Sequence, residues 1–169
     1  QASKVIPTYK HFPGLGRVTA NTDTSADVVD RTTGRLPDAA VGVFAGAIAA
    51  GAQVIMVSSA TYALIDASAP AVFSSKIVTD MLRTEMGFSG VVITDDVSAA
   101  VQVQGVTAGD RAVQAIRAGC DIVLASAEPA VAADMVKALI AAAQSDPAFA
   151  ARVDESAARV LALKGSLQS

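Results

Sequence analysis

A cation and the chain's single histidine stand side by side near the N-terminus, directly before a Pro-Gly turn. Lys10 and His11 can donate hydrogen bonds to the hydroxyl groups of a ligand, while Pro13 and Gly14 restrict the backbone that carries them. The spacing alone leaves two interpretations open: a ligand-binding pair beside a cleft, or a surface turn with a satisfied histidine.

Two adjacent carboxylates form the second candidate group. Asp95 and Asp96 follow the apolar run 90–94, which is typical of a buried strand. Because side chains alternate along a strand, only one of the two carboxylates can face a cleft. We predict that Asp95 is the functional carboxylate and that Asp96 is structural, with Asp96 or Ser98 capping the helix that follows.

The elements that must position these groups alternate between β-branched runs and segments of helical period. Such alternation is typical of βα units and a parallel sheet. The predicted strands are 5–9, 53–57, 90–94 and 121–125. The predicted helices are 36–50, 76–86, 107–117, 129–144 and 146–164. This assignment puts Lys10 and His11 directly after the first strand, which contains Pro7.

The residues that follow the strands favour a barrel over an open dinucleotide-binding sheet. A Rossmann-type sheet needs a glycine-rich loop directly after a strand, whereas Thr94, Asp95 and Asp96 stand there. Polar and acidic side chains at the C-terminal ends of strands are typical of barrel active sites, and a complete (β/α)8 barrel takes ~250 residues. For 169 residues we therefore expect an α/β fold that is part of such a barrel, with four βα units and a C-terminal helix.

Composition and charge exclude several classes of protein. With 13 Lys and Arg against 16 Asp and Glu, the net charge is −3, which is unlike a nucleic-acid binder. The single cysteine, Cys120, lies in an apolar context and is predicted to be a buried thiol, and one cysteine with one histidine is too few for a structural zinc site. The longest apolar run, 39–50, is shorter than the ~20 residues of a membrane span, so we expect no such span.

Two motifs carry a resemblance to a known family. The segment 10–16, Lys-His-Phe-Pro-Gly-Leu-Gly, and the segment 87–96, ending in Thr-Asp-Asp, resemble glycoside hydrolase family 3, in particular its β-N-acetylglucosaminidase branch. The likeness continues through 121–124 and 152–161 and covers essentially the whole chain. The resemblance implies that residues 1–169 are the C-terminal half of that family's (β/α)8 catalytic barrel domain, with the first half absent from the sequence.

The resemblance also implies an activity. The family is retaining, and its carboxylate nucleophile, which forms a glycosyl-enzyme intermediate, corresponds to Asp95. The family's sugar-contacting Lys-His pair corresponds to Lys10 and His11. The expected substrate is a terminal β-linked N-acetylglucosamine of cell-wall or chitin origin, with no metal or organic cofactor. Members of this branch occur both in the cytoplasm and at the cell envelope, so the resemblance leaves the compartment open.

The general acid/base is where this sequence departs from the family. The usual Asp-x-His is replaced by Asn21-Thr22-Asp23. Asp23 can take the role as a carboxylic acid if burial raises its pKa. Three alternatives stay open: Asn21 to Asp23 form only a polar turn, a second domain supplies the acid/base, or the protein is a non-catalytic carbohydrate-binding or scaffolding relative.

A sheet of four strands also leaves two open edges and an uncovered face, which is unfavourable in water. We therefore expect association, either between two copies of the chain or with an N-terminal half-barrel that this sequence lacks. In the second case the chain is an inactive or poorly active fragment by itself, because the other half supplies several sugar contacts.

Overall fold

Four parallel strands form the main sheet of the computed structural model, which describes residues 5–167. The strands in chain order are β1 (Thr8–Phe12), β2 (Val29–Asp30), β3 (Val54–Val57), β4 (Thr61–Tyr62), β5 (Asp66–Pro70), β6 (Val91–Asp96) and β7 (Ile122–Leu124). The main sheet has the order β1-β3-β6-β7, and every neighbouring pair in it is parallel. The parallel α/β pattern of the sequence analysis is therefore confirmed.

The first predicted strand is wrong in its bounds. It was expected at 5–9 but comprises Thr8–Phe12, with Tyr9 opposite Ile55 and Phe12 opposite Val57. Proline has no N–H to donate to a ladder, so regular pairing begins after Pro7. As a result Lys10 and His11 lie within β1 rather than after it.

Helices follow the strands of the main sheet, as predicted. They are α1 (Ala39–Ala49), a π-helix (Lys76–Glu85), α2 (Ala108–Ala118), α3 (Ala132–Ser145) and α4 (Pro147–Ser166). The side chains of Asp38, Thr107 and Asp146 accept hydrogen bonds from backbone N–H groups at the starts of α1, α2 and α4. The first helix was predicted to begin at residue 36, but it begins after its cap Asp38, so Pro37 lies before it.

A second sheet was missed by the sequence analysis. Strands β2, β4 and β5 form it, with β2 and β4 parallel and β4 and β5 antiparallel. Two of these strands have only two residues, and Asp66–Pro70 lacks the β-branched residues that predict a strand. The sheet supports the loop after β1, because the Tyr62 hydroxyl donates a hydrogen bond to the Gly14 carbonyl at 3.2 Å.

The core lies between the main sheet and its helices. Phe12 of β1 packs edge-on against Phe44 of α1, with ring centroids 5.2 Å apart. Cys120 is fully buried, as predicted, and burial raises the pKa of its thiol to about 12. Within residues 5–167, β1 and β7 each pair with one strand of the main sheet, so the architecture is that of a partial (β/α)8 barrel.

A buried ion cluster fixes the start of β7 against β6 and α4. The Asp121 carboxylate is inaccessible to solvent and accepts hydrogen bonds from Arg83 at 2.6 Å, Arg152 at 2.9 Å and Arg159 at 3.2 Å. It also accepts from the backbone N–H of Val92 at 2.9 Å. The cluster lies at the end of the sheet opposite the carboxyl ends of the strands, so we assign it to stability. Among residues 5–167, no helix is both long and apolar enough to cross a membrane.

Candidate active site

A cleft of about 510 Å³ opens at the carboxyl ends of β1 and β6. Its lining includes Lys10 and His11 from β1, Asp95 from β6 and Asp23 from the loop after β1. The structure thus brings together all four residues that the sequence analysis selected, although they are separated by up to 85 positions. In parallel α/β folds this end of the sheet is where ligands bind.

His11 and Asp95 face each other across the cleft. The distance from His11 Nε2 to Asp95 Oδ2 is 3.6 Å, and their side chains are 23% and 18% exposed. The other carboxylate oxygen, Asp95 Oδ1, accepts a hydrogen bond from the Asp96 N–H at 2.9 Å. One Asp95 oxygen is therefore held by the backbone, while the other points toward the imidazole.

The charges around the cleft alter the acidity of both groups. Burial raises the pKa of the Asp95 carboxyl above its ordinary value, and the negative charge of Asp23 adds to the rise. The His11 imidazole, when it is protonated, and the Lys10 ammonium oppose it. Burial lowers the pKa of the His11 imidazole, an effect that Lys10 reinforces and that Asp95 and Asp23 oppose. The site therefore favours a neutral imidazole beside a partly desolvated carboxylate.

Asp96 points away from the cleft and is structural, but it is not the helix cap that we predicted. Its Oδ1 accepts hydrogen bonds from the Ser98 N–H and hydroxyl, and its Oδ2 accepts from the N–H groups of Ser126 and Ala127. The next helical turn, Val101–Val103, begins after Ala100 without a side-chain cap, so neither Asp96 nor Ser98 caps it. Asp96 instead joins the loop after β6 to the loop after β7.

The turn that carries Asp23 is built by Asn21. The Asn21 side-chain oxygen accepts a hydrogen bond from the Asp23 N–H at 2.8 Å, and its carbonyl accepts from the N–H groups of Thr24 and Ser25. These residues form the polar turn that the sequence analysis considered, and the same turn places Asp23 on the cleft wall. Asp23 is exposed, so the burial that a carboxylic general acid was expected to need is not supplied by residues 5–167.

Two supports of this loop were not recognised in the sequence. The Arg17 guanidinium binds both carboxylate oxygens of Asp38, at 2.8 and 2.9 Å. The Gln102 side chain binds the backbone of Val28 from 74 positions away in the chain. No short motif indicates either contact, because the partners approach one another only in the folded chain.

Comparison with known proteins gives the same assignment across the chain. The model of the glycosyl hydrolase family 3 N terminal domain matches residues 1–163. The chain is 36% identical over 170 residues to an uncharacterized secreted glycosyl hydrolase of Arthroderma benhamiae, covering 99% of this chain and 48% of that protein. It is 38% identical over 130 residues to a beta-hexosaminidase of Psychromonas ingrahamii, covering 74% of this chain and 37% of that protein.

Solved structures show the same similarity in three dimensions. A beta-N-acetylhexosaminidase from Beutenbergia cavernae superposes with a TM-score of 0.92 at 60% identity, over 94% of this chain and 46% of that one. A glycoside hydrolase family 3 beta-N-acetylglucosaminidase from Paenibacillus sp. superposes with a TM-score of 0.89 at 30% identity, over 98% of this chain and 32% of that one. The chain spans about half the length, or less, of these relatives. It belongs to glycoside hydrolase family 3.

Proposed function

We propose that this chain carries the nucleophile of a retaining exo-β-glycosidase that releases terminal β-linked N-acetylglucosamine. The observation that carries the proposal is Asp95, a half-buried carboxylate at the carboxyl end of β6 that lies 3.6 Å from His11 in a cleft large enough for a sugar. The names of the related hexosaminidases and N-acetylglucosaminidases support the choice of sugar.

In the first step, an oxygen of ionised Asp95 attacks the anomeric carbon of the bound sugar. A bond forms between this oxygen and the carbon, the bond to the leaving-group oxygen breaks, and a general acid protonates that oxygen. In the second step, water attacks the same carbon from the opposite face, the deprotonated acid accepts the proton of the water, and the ester to Asp95 breaks. Two inversions give a product with net retention.

Lys10 and His11 act as sugar-binding residues in this scheme. The Lys10 ammonium is a donor only, and an imidazole with a lowered pKa is neutral and offers one donor and one acceptor nitrogen. Both groups can therefore hold sugar hydroxyls beside Asp95. Binding of the sugar also removes water from the carboxylate, which strengthens the local electrostatic interactions.

Asp23 is our candidate for the general acid/base. It lines the same cleft as Asp95, and retaining glycosidases work with two carboxyl groups that flank the scissile bond. Asp23 is exposed in the free protein, so the burial that a carboxylic general acid needs must come from a bound substrate. The exposed turn is also compatible with the second candidate function, a non-catalytic relative that binds carbohydrate.

We also propose that residues 1–169 act as the second half of a catalytic barrel domain. The four parallel strands of the main sheet are half of the eight that close a (β/α)8 barrel. The share of the relatives' length that this chain covers agrees with that division.

The test is the release of nitrophenol from 4-nitrophenyl N-acetyl-β-glucosaminide by the chain and by Asp95→Asn. Asp154→Asn, the same change at an exposed position of α4, serves as the matched control. Because half of a barrel supplies only part of the sugar contacts, we expect weak turnover by the wild type and by the control, and none by Asp95→Asn. Unchanged turnover in Asp95→Asn would refute the assignment, and binding of N-acetylglucosamine without turnover by the wild type would favour the carbohydrate-binding alternative.

A further inference from the structure

The loop that carries Asp23 is bound to the segment that follows the strand of Asp95. We define the Asp23 loop as residues 17–28 and the support segment as residues 97–104, directly after β6. The backbone N–H of Val101 donates to the Asp23 carbonyl at 3.2 Å, and the N–H of Gln102 donates to the Thr22 carbonyl at 3.1 Å. The turn on which Asp23 sits is thus hydrogen-bonded to the support segment at two consecutive residues.

The Gln102 side chain makes a second connection to the Asp23 loop. Its Oε1 accepts a hydrogen bond from the Val28 N–H at 2.7 Å, and its Nε2 donates to the Val28 carbonyl at 3.4 Å. Val28 is only 3% exposed, so its N–H has little access to water as a substitute partner. An amide side chain can satisfy both backbone groups of one residue, because it carries a donor and an acceptor together.

The support segment is itself fixed to the body of the fold. Arg111 of α2 is 4% exposed and donates hydrogen bonds to the carbonyls of Val97 at 2.5 Å and Ser98 at 3.0 Å. Gln104 donates to the Ser98 carbonyl at 3.0 Å. The support segment therefore links the end of the strand that carries Asp95 to the turn that carries Asp23.

We propose that Gln102 is a positioning residue that fixes the Asp23 carboxyl over the cleft at a set distance from Asp95. This inference rests on the proposed function, because it assigns to Gln102 the geometry of the proposed acid/base. Gln102 touches neither reacting group through its side chain and acts through the backbone of the Asp23 loop. Without the Gln102 side chain, Asp95 keeps its hydrogen bond from Asp96, and the turn keeps its two backbone hydrogen bonds to residues 101 and 102. Only the Val28 end of the Asp23 loop is released from the support segment.

The first experiment is hydrogen exchange at the Val28 amide in the wild type, Gln102→Ala and Gln104→Ala. Gln104→Ala is the matched control, because it loses a hydrogen bond within the support segment and none to the Asp23 loop. Loss of one buried hydrogen bond predicts exchange at Val28 about tenfold faster in Gln102→Ala. Gln102→Glu keeps an acceptor opposite the Val28 N–H and should restore part of the protection. Equal exchange in the two alanine variants would overturn the proposal.

The second experiment separates positioning of an acid from a general loss of structure. A 2,4-dinitrophenyl glycoside needs little protonation of its leaving group, whereas N,N′-diacetylchitobiose has an alkoxide leaving group that must be protonated. We expect Gln102→Ala to lower kcat on chitobiose about tenfold more than on the dinitrophenyl substrate. An equal loss on both would contradict a positioning role. If the wild type cleaves neither substrate, this chain is not an active glycosidase by itself, while the exchange result still decides whether Gln102 holds the loop.

Discussion

The adjacent carboxylates Asp95 and Asp96 should respond in opposite ways to the same isosteric substitution. Asp96→Asn keeps one oxygen for the Ser98 N–H and hydroxyl, but it places an NH₂ group against the N–H donors of Ser126 and Ala127. Two hydrogen bonds to a charged group are then lost, each worth about 1.5–3 kcal/mol. Because Ser126 and Ala127 are exposed, water can replace part of this, and we expect a total loss of about 2–3 kcal/mol in the free energy of unfolding.

Asp95→Asn should leave the stability unchanged or increase it at neutral pH. Burial raises the pKa of Asp95 in the folded protein, so its contribution to stability is greatest when it is protonated at low pH and falls as the pH rises through that pKa. Asparagine removes the penalty of the buried negative charge. At the same time it should abolish turnover, since an amide cannot form the glycosyl ester.

Urea unfolding followed by circular dichroism measures both variants, with 4-nitrophenyl N-acetyl-β-glucosaminide as the activity assay. The unfolding midpoint of Asp96→Asn should fall without a change in slope, while Asp95→Asn should match or exceed the wild type. Equal destabilisation by the two substitutions would refute the division of roles between these residues, as would a neutral Asp96→Asn.

The charges at the cleft, the buried ion cluster and the open sheet edges can each be tested. On a 2,4-dinitrophenyl glycoside, whose leaving group needs little protonation, the kcat/KM of the wild type should fall at acid pH as Asp95 becomes protonated. Asp23→Asn removes a negative charge that raises the pKa of Asp95 and should move the acid limb of this profile to lower pH, whereas an unmoved limb would show that the charge of Asp23 does not act on Asp95. Asp121→Asn disrupts a buried carboxylate bound by three arginines and should reduce the free energy of unfolding by about 3–5 kcal/mol. The same change at the exposed residue Asp134 serves as the control and should have little effect. A difference under about 1 kcal/mol between the two variants would contradict the structural role of Asp121. Sedimentation of the chain alone should show self-association. Two copies together have eight strands in their main sheets, so the open edges at β1 and β7 of one copy can pair with those of the other. A compact monomer would contradict this prediction.

The sequence predicted those features that depend on neighbouring residues. The apolar runs that became β3, β6 and β7 were visible as β-branched segments, and the helices predicted from 107 and 146 begin at residues whose side chains cap them, Thr107 and Asp146. Strand alternation was enough to separate Asp95 from Asp96, and the structure points them in different directions.

Features that depend on tertiary pairing could not be found in the same way. Lys10 and His11 belong to β1 because their backbone runs alongside β3, and neither residue type favours a strand. The contact between Gln102 and Val28 joins segments 74 residues apart. The exposure of Asp23 follows from the turn that Asn21 forms, so residue type alone did not reveal it.

Trapping of the glycosyl-enzyme shows directly whether Asp95 is the catalytic nucleophile. A 5-fluoro N-acetylglucosaminyl fluoride forms the intermediate faster than it is hydrolysed, and digestion with trypsin should then yield residues 84–111 as one peptide that contains Asp95. We expect mass spectrometry to find the sugar esterified to Asp95, and we expect Asp95→Asn to remain unlabelled. Turnover with no label on Asp95, or a label on another residue of this peptide, would contradict it.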